Sequence, residues 1–409
     1  MKKLKMIIAL TLSVILFAGM AAVSASAEDS GTITVSLRIE AIEECIYYDN
    51  AIKIAAGSTV ADLMKIISDM EGTPYIAIIN GEFGAYVGFI DDLMEFEYGE
   101  MSGWNYRVND IAPSFGISLY TLKDGDCVVY YYGDPFGVGI QCPEADWSGI
   151  LTDGIIRFSS LDTTYDENWE PTVTENPVAG ATVTFRWDTY VTNDRGEIRV
   201  EDKTGLSGCR TLQIQRHDEE SGVPTVLRFA PDYMIYIPFV DTPQGAWYED
   251  AVRFCVREGY FIGTNLAANL FNPTRSMTIP ELFTVLARIA GEDVDVPTTP
   301  WYATAFEWAV KNGIIAEDET IIGVNVTRER FIHMFYQTIG LVGGHDMELR
   351  ADITIAKDYS DIAPEYRDAI SWAVASGIID GTDPTQLTIS PNKEVNRVTV
   401  CKMLYNYYN

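Results

Sequence analysis

One pattern is written three times in the C-terminal part of this 409-residue chain. In each copy a tyrosine stands 11 residues before a glycine, and the three glycines are 54 and 64 residues apart. A glycine directly after a helix adopts the left-handed conformation at little cost because it has no Cβ. Repeats of this size indicate units that bury their apolar faces only against one another. The pairs are Tyr248 and Gly259, Tyr302 and Gly313, and Tyr366 and Gly377.

A second phrase in each copy predicts the start of a further helix. Thr278, Thr327 and Asn396 are short polar residues of the kind that accept a backbone N–H at a helix N-cap. Thr278 also stands three residues before Glu281, which is the spacing of a capping box. The phrases are MTIPEL (277–282), VTRERF (326–331) and VNRVTV (395–400). The apolar residues expected to pack together behind these caps are Leu282, Val285, Leu286, Phe331, Met334, Phe335, Val400, Met403 and Leu404.

The residue after the N-cap differs between the copies. It is Arg328 in the second and Arg397 in the third, but Ile279 in the first. Capping needs only the preceding polar side chain, so the two arginines require another explanation. One explanation is that they cover the helix surface or pair with an acid. The other is that they bind an anionic ligand, to which a guanidinium presents a planar pair of donors.

The first residues predict export. Three lysines precede an apolar run, and Ala25-Ser26-Ala27 has the A-x-A form of a cleavage site. Residues 1–27 are therefore interpreted as a signal peptide. The apolar run is short for a bilayer span, and Met20 stands where a lipoprotein signal would have its cysteine. We expect a secreted protein without membrane insertion after cleavage.

The composition excludes several classes of partner. A net charge of −30 repels nucleic acid and anionic membranes. With 47% hydrophobic residues the chain is too apolar for a disordered acidic tail. Six cysteines without C-x-x-C spacing and only three histidines predict no metal site. Disulfides are permitted after export, so Cys45 and Cys127 could pair, although free thiols are an equal alternative.

Three stretches with different patterns predict a multidomain protein. Residues 28–136 combine strands with an amphipathic helix and predict an α+β domain of the β-grasp kind. Residues 145–238 carry short strands between turn signals and predict an all-β sandwich of prealbumin-like or immunoglobulin-like type. Within them the polar stretch 161–177 is interpreted as an insertion or long loop. Residues 239–409 are helical and hold the repeats, over about 239–291, 297–343 and 359–409.

The repeats resemble S-layer homology (SLH) domains. FVD (239–241) and YSD (359–361) are similar to the Phe-x-Asp opening of that family, and GIIDG (377–381) to the end of its first helix. In the family, three repeats form an all-α pseudo-trimer that binds pyruvylated secondary cell-wall polysaccharide in grooves between repeats, and the motif arginine is important for binding. The resemblance implies that Arg328 and Arg397 contact this polysaccharide and that the groove at Ile279 is lost or weakened.

The N-terminal domain resembles the transcobalamin-like C-terminal domain. The resemblance is carried by GSTVADLM (57–64), GWNYRVND (103–110) and LKDGDCVVYYYG (122–133). In vertebrate cobalamin carriers this domain closes over the corrinoid, which implies ligand contacts at Trp104, Tyr106 and Asn109. The alternative is that these residues serve folding, with aromatic rings packing a strand and Asn109-Asp110 forming a turn. The middle domain more loosely resembles prealbumin-like or collagen-adhesin repeats and is interpreted as a spacer.

The chain contains no sequence motif of a catalytic site. G-x-S-x-G, H-E-x-x-H, the P-loop and the dinucleotide fingerprint are all missing from the sequence. We therefore expect a non-catalytic protein of a Gram-positive type cell wall or S-layer, without a cofactor, which displays a module that binds other surface proteins or a small ligand. Two alternatives stay open: a surface corrinoid (cobalamin) binder, and a wall-anchored hydrolase with a cryptic pair of acids.

Overall fold

The computed structural model describes residues 31–165, 171–343, 346–379 and 386–409. The signal peptide expected at 1–27 lies outside the described residues. The described chain forms two compact units: unit 1 is built from residues 31–140 and His217–Ala230, and unit 2 from Gln141–Arg216 and Pro231–Asn409. As expected, β-sheets occupy the N-terminal and middle regions and helices occupy the C-terminal region.

Unit 1 contains a four-stranded and a three-stranded sheet. The larger sheet has the order β2-β1-β7-β6, with β1 and β7 parallel and the other neighbours antiparallel. The smaller sheet has the order β3-β4-β5. Helix α1 starts at a capping box formed by Thr59 and Asp62 and buries its apolar face in the core of the unit. The elements are β1 (Thr32–Glu40), β2 (Cys45–Ala55), α1 (Val60–Ser68), β3 (Ile76–Gly81), β4 (Gly84–Ile90), β5 (Leu93–Met94), β6 (Gly103–Val108) and β7 (Cys127–Gly133).

Unit 2 begins with two further sheets. One has the order β10-β9-β13 with β8 paired to β9, and the other contains β12-β11-β14 with β16 paired to β14. The strands are β8 (Pro143–Asp146), β9 (Ile155–Tyr165), β10 (Pro171–Pro177), β11 (Thr182–Phe185), β12 (Asp188–Val191), β13 (Glu197–Arg199), β14 (Gly208–His217), β15 (Pro224–Val226) and β16 (Met234–Ile237). Of these, β15 lies in the segment that belongs to unit 1.

The segment His217–Ala230 was assigned from sequence to the β domain at 145–238, but it clusters with unit 1. A buried ion cluster explains the difference. The carboxylate of Glu40, at the end of β1, lies 2.7 Å from the Arg228 guanidinium and 3.0 Å from that of Arg38. Arg228 also donates to the carbonyl oxygens of Ala41 and Ile42. A buried carboxylate needs such partners, so the segment is held against β1.

The interpretation of 161–177 as a long loop is wrong for 161–165 and 171–177, and residues 166–170 lie outside the described residues. Strands β9 and β10 pair antiparallel, in a register that runs from Tyr165 opposite Pro171 to Ser159 opposite Pro177. Both strands contain two threonines, with two isoleucines in β9 and a valine in β10, and β-branched residues favour extended backbone. The acidic residues between them masked this pattern.

The pairing suggested for Cys45 and Cys127 is excluded by strand register. On β1, Cys45 lies opposite Glu40 and Cys127 lies opposite Ser36. Four residues along a strand span about 13 Å, and the two cysteines lie on opposite sides of β1. A disulfide needs Cα atoms within about 7 Å, so this pair cannot form one in the folded domain.

The C-terminal helices form a closed ring of pairs around one apolar core. The first helix of each repeat packs on the second helix of the preceding repeat: α4 on α3, α6 on α5, and α2 on α7. The helices are α2 (Glu249–Arg257), α3 (Ile279–Ile289), α4 (Ala303–Lys311), α5 (Arg328–Val342), α6 (Arg367–Ala375) and α7 (Arg397–Tyr408). Short 3-10 helices, Tyr359–Asp361 and Pro364–Tyr366, precede α6.

The backbone closes the same ring. The N–H of Met277 donates to the carbonyl oxygen of Val395 (3.0 Å), that of Val395 to Val326 (2.9 Å), and that of Val326 back to Met277 (2.8 Å). The predicted N-cap positions are confirmed, since α3, α5 and α7 each begin one residue after them. Asn396 accepts the N–H of Thr399 and Thr278 forms a capping box with Glu281, whereas Thr327 makes no capping hydrogen bond with its side chain. The three repeat glycines have φ between +69° and +73°, and the nine apolar residues predicted behind the caps are all buried in the common core.

No helix in the described ranges is long and apolar enough to cross a membrane.

Candidate functional site

A groove with a volume of about 800 Å³ opens beside the start of α7. Its walls come from repeat 1, from the connection that leads into α4, and from Arg397 of repeat 3. Three arginines line it, Arg275, Arg288 and Arg397, against two acids, Glu281 and Asp295. The groove is therefore a locally positive site on a strongly acidic chain.

Arg397 is the first residue of α7, and its side chain is held from several directions. It is only 5% exposed. Its Nε donates to the carbonyl oxygen of Phe271 (2.8 Å) and its Nη2 to that of Ile262 (2.6 Å). The guanidinium lies over the rings of Phe271 and Phe261, 4.4 and 5.0 Å from their centroids. Burial lowers the pKa of Arg397 to about 10, so it stays charged at neutral pH.

Among the described residues, Arg397 differs from its two neighbours in making no salt bridge. Arg275 pairs with Glu281, and Arg288 Nη2 lies 2.5 Å from Asp295. Burial alone would raise the pKa of Glu281, but the hydrogen bonds from Arg275 and from the backbone of Thr278 hold it below its usual value. Two of the three cations are thus paired with an acid, and Arg397 is the cation of the groove without one among the described residues. Covering the helix surface, the simpler explanation from sequence, does not fit a residue this buried.

Asp241 positions the backbone that holds Arg397. Its carboxylate accepts the N–H groups of Phe271 (2.8 Å) and Asn272 (2.7 Å), and Asn272 takes a left-handed φ of +55°. The peptide fixed in this way presents the Phe271 carbonyl to the guanidinium. Sequence inspection identified the FVD phrase but not this role, because the bonded residues are about thirty positions apart.

Repeat 3 contains the same arrangement, but its aspartate is not the one in the YSD phrase. Asp358, not the Asp361 of YSD, accepts the N–H groups of Ile389 (2.9 Å) and Ser390 (2.6 Å). Ser390 has a φ of +57°, as Asn272 has in repeat 1. The repeat opening therefore lies three residues earlier than the motif suggested.

Equivalent backbone bonds identify the neighbour of each residue at the start of a second helix. The N–H of Arg397 donates to the carbonyl oxygen of Arg275, that of Arg328 to Lys393, and that of Ile279 to Val324. Each of these bonded pairs marks a junction between two repeats. At two of the three junctions both residues of the pair are cations, whereas at the third both are aliphatic. Arg328 is half-buried, and Ile279 is completely buried. Sequence inspection missed Arg275 and Lys393 because each comes from a different repeat than its arginine.

The three candidates in unit 1 are used by the fold itself. Trp104 is 8% exposed, donates from Nε1 to the carbonyl oxygen of Leu93 (3.0 Å) and packs edge-on against Tyr132. The Tyr106 hydroxyl donates to the carbonyl oxygen of Phe115 (2.7 Å), and burial, followed by the nearby Tyr120, raises its pKa to about 12.

Asn109 has the turn role that was the alternative to ligand binding. Its φ is +50° and that of Asp110 is +63°, both in the left-handed region. Its side-chain amide donates to Asp126 (2.8 Å) and accepts the N–H of Cys127 (2.9 Å). Intradomain contacts therefore account for all three residues without a ligand.

Comparisons with known proteins agree with two of these regions. Residues 357–397 match the S-layer homology domain, and residues 57–134 match a domain of unknown function, DUF4430. The S-layer homology resemblance is thereby confirmed for the third repeat, and it indicates a surface protein attached to the cell wall. No curated protein matches the chain.

Two solved structures are similar to parts of the chain. Haptocorrin in complex with Cbi has a TM-score of 0.24 at 19% identity, over 27% of this chain and 27% of that chain. A protein described as a "putative metal binding protein from Ruminococcus gnavus ATCC 29149" has a TM-score of 0.20 at 8% identity, over 25% of this chain and 97% of that chain. The chain thus spans about a quarter of haptocorrin.

Proposed function

We propose that the protein is exported and held non-covalently on the cell wall by its three helical repeats, which bind a secondary wall polysaccharide carrying pyruvyl groups. The N-terminal and middle domains are then a non-catalytic module displayed for binding or adhesion. The observation that carries the proposal is Arg397, a buried cation without a salt bridge among the described residues, in the wall of a groove of about 800 Å³.

The chemistry of the ligand fits this cation. A pyruvyl ketal carries one carboxylate, and a guanidinium offers a carboxylate two parallel donors. Nε and one hydrogen of Nη2 donate to the carbonyl oxygens of Phe271 and Ile262, while Nη1 makes no hydrogen bond within the described residues. The edge formed by Nη1 and Nη2 therefore still offers two parallel donors. Because the side chain is fixed before binding, little side-chain entropy is lost when an anion arrives.

Local charge is needed because the chain as a whole repels an anionic polymer. Its net charge is −30. At physiological ionic strength the field of distant charges is screened beyond about 8 Å. A groove with three arginines and two acids therefore attracts a carboxylate locally despite the total charge.

We propose two such sites in one pseudo-trimer. Arg328 with Lys393 repeats the pairing of Arg397 with Arg275, and Ile279 with Val324 does not. If both cationic sites bind one polymer, the second contact is effectively intramolecular and raises the overall affinity.

The finer fold assignments belong to the same proposal. The order β2-β1-β7-β6, with a parallel central pair and one packed helix, supports a β-grasp-like N-terminal domain. The two sheets that begin unit 2 support a β-sandwich of prealbumin-like or immunoglobulin-like type.

Sedimentation of the full chain with purified cell walls tests the proposal. Replacing Arg328 or Arg397 with alanine should weaken wall binding about tenfold to a hundredfold, as expected for a hydrogen bond to a charged group, and the double variant should lose more. Arg253→Ala is the matched control, because it removes an exposed cation from α2 outside the groove. Removal of pyruvyl groups from the walls should reproduce the loss.

Equal binding by the wild type and the double variant would end the proposal, and so would indifference to pyruvyl removal. Circular dichroism of each variant shows whether the helices remain. Arg397→Lys keeps the charge while losing the planar donors, and should bind between the wild type and the alanine variant.

A further inference from the structure

Two exposed tryptophans stand where the proposed glycan sites need an apolar wall. We propose that Trp301 and Trp247 are stacking platforms for a sugar ring whose acidic substituent reaches the neighbouring arginine. The chain then has two glycan subsites of one design and a third junction that has lost it. This inference rests on the proposed function and specifies which parts of the sugar are recognised.

Trp301 lines the groove of Arg397 and is 56% exposed. Its ring meets that of Tyr302 edge to face, with centroids 5.4 Å apart and planes at 90°, which fixes its orientation. Sugar rings present C–H groups on their faces, and these pack on aromatic rings while the hydroxyls point to the sides. A carboxylate on such a ring can be bound by a guanidinium at the same time. The groove volume lies within the range of about 300–1,000 Å³ that holds whole small ligands, so a substituted sugar fits.

Trp247 occupies the equivalent position in repeat 1. It is 67% exposed and meets Tyr248 edge to face, with centroids 5.3 Å apart and planes at 82°. Tyr248 and Tyr302 are the N-cap residues of α2 and α4, so each tryptophan directly precedes the first helix of its repeat. Helix α4 packs on α3, whose face lines the groove of Arg397, and α2 packs on α7 in the same way.

In repeat 3 the equivalent residue is Glu365, directly before the N-cap Tyr366 of α6. Helix α6 packs on α5, beside the junction of Ile279 with Val324. Three positions thus vary together: two junctions have a cation at the helix start, a cation beside it and a tryptophan, and the third has isoleucine, valine and glutamate.

Recognition of the same ligand at two of the three junctions would explain this joint change. The ring contact of each tryptophan with the following tyrosine needs neither cation, so a purely structural role gives no reason for the tryptophan to occur only where two cations occur. Glutamate at the third position would repel an acidic sugar as well as fail to stack on it. The common purpose of the three positions is therefore recognition of a sugar that has both an apolar face and a negative charge.

Calorimetric titration of the full chain with isolated wall polysaccharide fragments tests this inference. The wild type should bind two fragments per chain. Trp301→Ala and Trp247→Ala should each weaken one site about threefold to tenfold, the range of an aromatic contact, and Trp301→Phe should restore much of the loss. Trp187→Ala is the matched control, because Trp187 is 83% exposed on the turn between β11 and β12, away from the repeats.

The outcomes separate this inference from the proposed function. If the wild type binds in a pyruvyl-dependent way and the tryptophan variants bind equally well, the platforms are wrong and the arginine sites stand. The same conclusion follows if Trp187→Ala weakens binding as much as Trp301→Ala. A stoichiometry of three would contradict the loss of the third junction. If the wild type does not bind the fragments, both ideas fail.

Discussion

Trp104 in unit 1 and Trp301 in the helical repeats are the same residue type in opposite surroundings. Trp104 is 8% exposed, and its indole N–H bonds the carbonyl oxygen of Leu93, whereas Trp301 is 56% exposed on the wall of a groove. In both regions, sequence motifs predict ligand contacts. The difference teaches that the same residue type in a motif serves the core in one region and a groove wall in the other, and that burial and hydrogen bonding decide which.

The polar side chains of the two regions also differ in whether the fold itself supplies all their partners. In unit 1 the side chains of Tyr106 and Asn109 bond the backbone or side chains of their own domain. In the repeats the fold holds Arg397 by two carbonyl oxygens and two rings but gives it no acid among the described residues. A fixed cation without an acid partner beside a cavity supports the proposed ligand site, whereas the hydrogen bonds of Tyr106 and Asn109 support a role in folding.

Replacing each tryptophan with alanine gives the largest expected contrast. Trp104→Ala removes a large buried ring and should lower the free energy of unfolding by about 3–5 kcal/mol. Trp301→Ala removes a mostly exposed ring and should change it by less than about 0.5 kcal/mol. Urea unfolding followed by circular dichroism measures both. Similar decreases in the free energy of unfolding for the two variants would contradict the assignment of Trp104 to the core and Trp301 to the surface.

Asp241→Asn tests whether the loop that holds Arg397 contributes to binding in the groove. The variant keeps the size of the side chain but replaces a charged acceptor of two backbone N–H groups with a neutral one. We expect a loss of stability of about 1–2 kcal/mol and weaker wall binding, because the Phe271 carbonyl that holds Arg397 is less well fixed. Asp218→Asn is the control, because Asp218 also accepts two backbone N–H groups, those of Glu220 and Ser221, but lies in unit 1. Unfolding and wall sedimentation of both variants, at matched temperature, would show whether Asp241 acts on Arg397; unchanged binding by Asp241→Asn would refute that role.

The smallest effect that we expect is a dependence of the free energy of unfolding on pH, caused by Glu281. Its pKa is lowered in the folded state, so its contribution is present above its unfolded pKa and is lost as the pH falls through the folded value. Glu281→Gln should therefore be less stable than the wild type near pH 7, and the difference should shrink toward about pH 3. Urea unfolding across this range measures the two curves. A constant difference at all pH values would show that the ion pair with Arg275 does not stabilise the fold.

Local features of the repeats were predictable from sequence. These features are the helix starts after Thr278, Thr327 and Asn396, the left-handed glycines and the buried apolar faces. Each depends on residues within about one or two helical turns, so a local sequence pattern is enough to predict it. The strands of the middle domain were predicted in part, and the pairing of β9 with β10 was missed because their charged residues obscured the β-branched pattern.

The starts and ends of the helices and the sharing of one core by three units could be read from the sequence, because they follow from short-range hydrogen bonds and apolar spacing. The contact of Arg397 with the Phe271 carbonyl, 126 residues away, and the positions of Arg275 and Trp301 in the same groove are known only from the folded chain. The same holds for the burial of Trp104 and the pairing of Arg228 with Glu40. Contacts between distant segments depend on how the ring and the sheets close, and no local pattern encodes which partners that closure brings together.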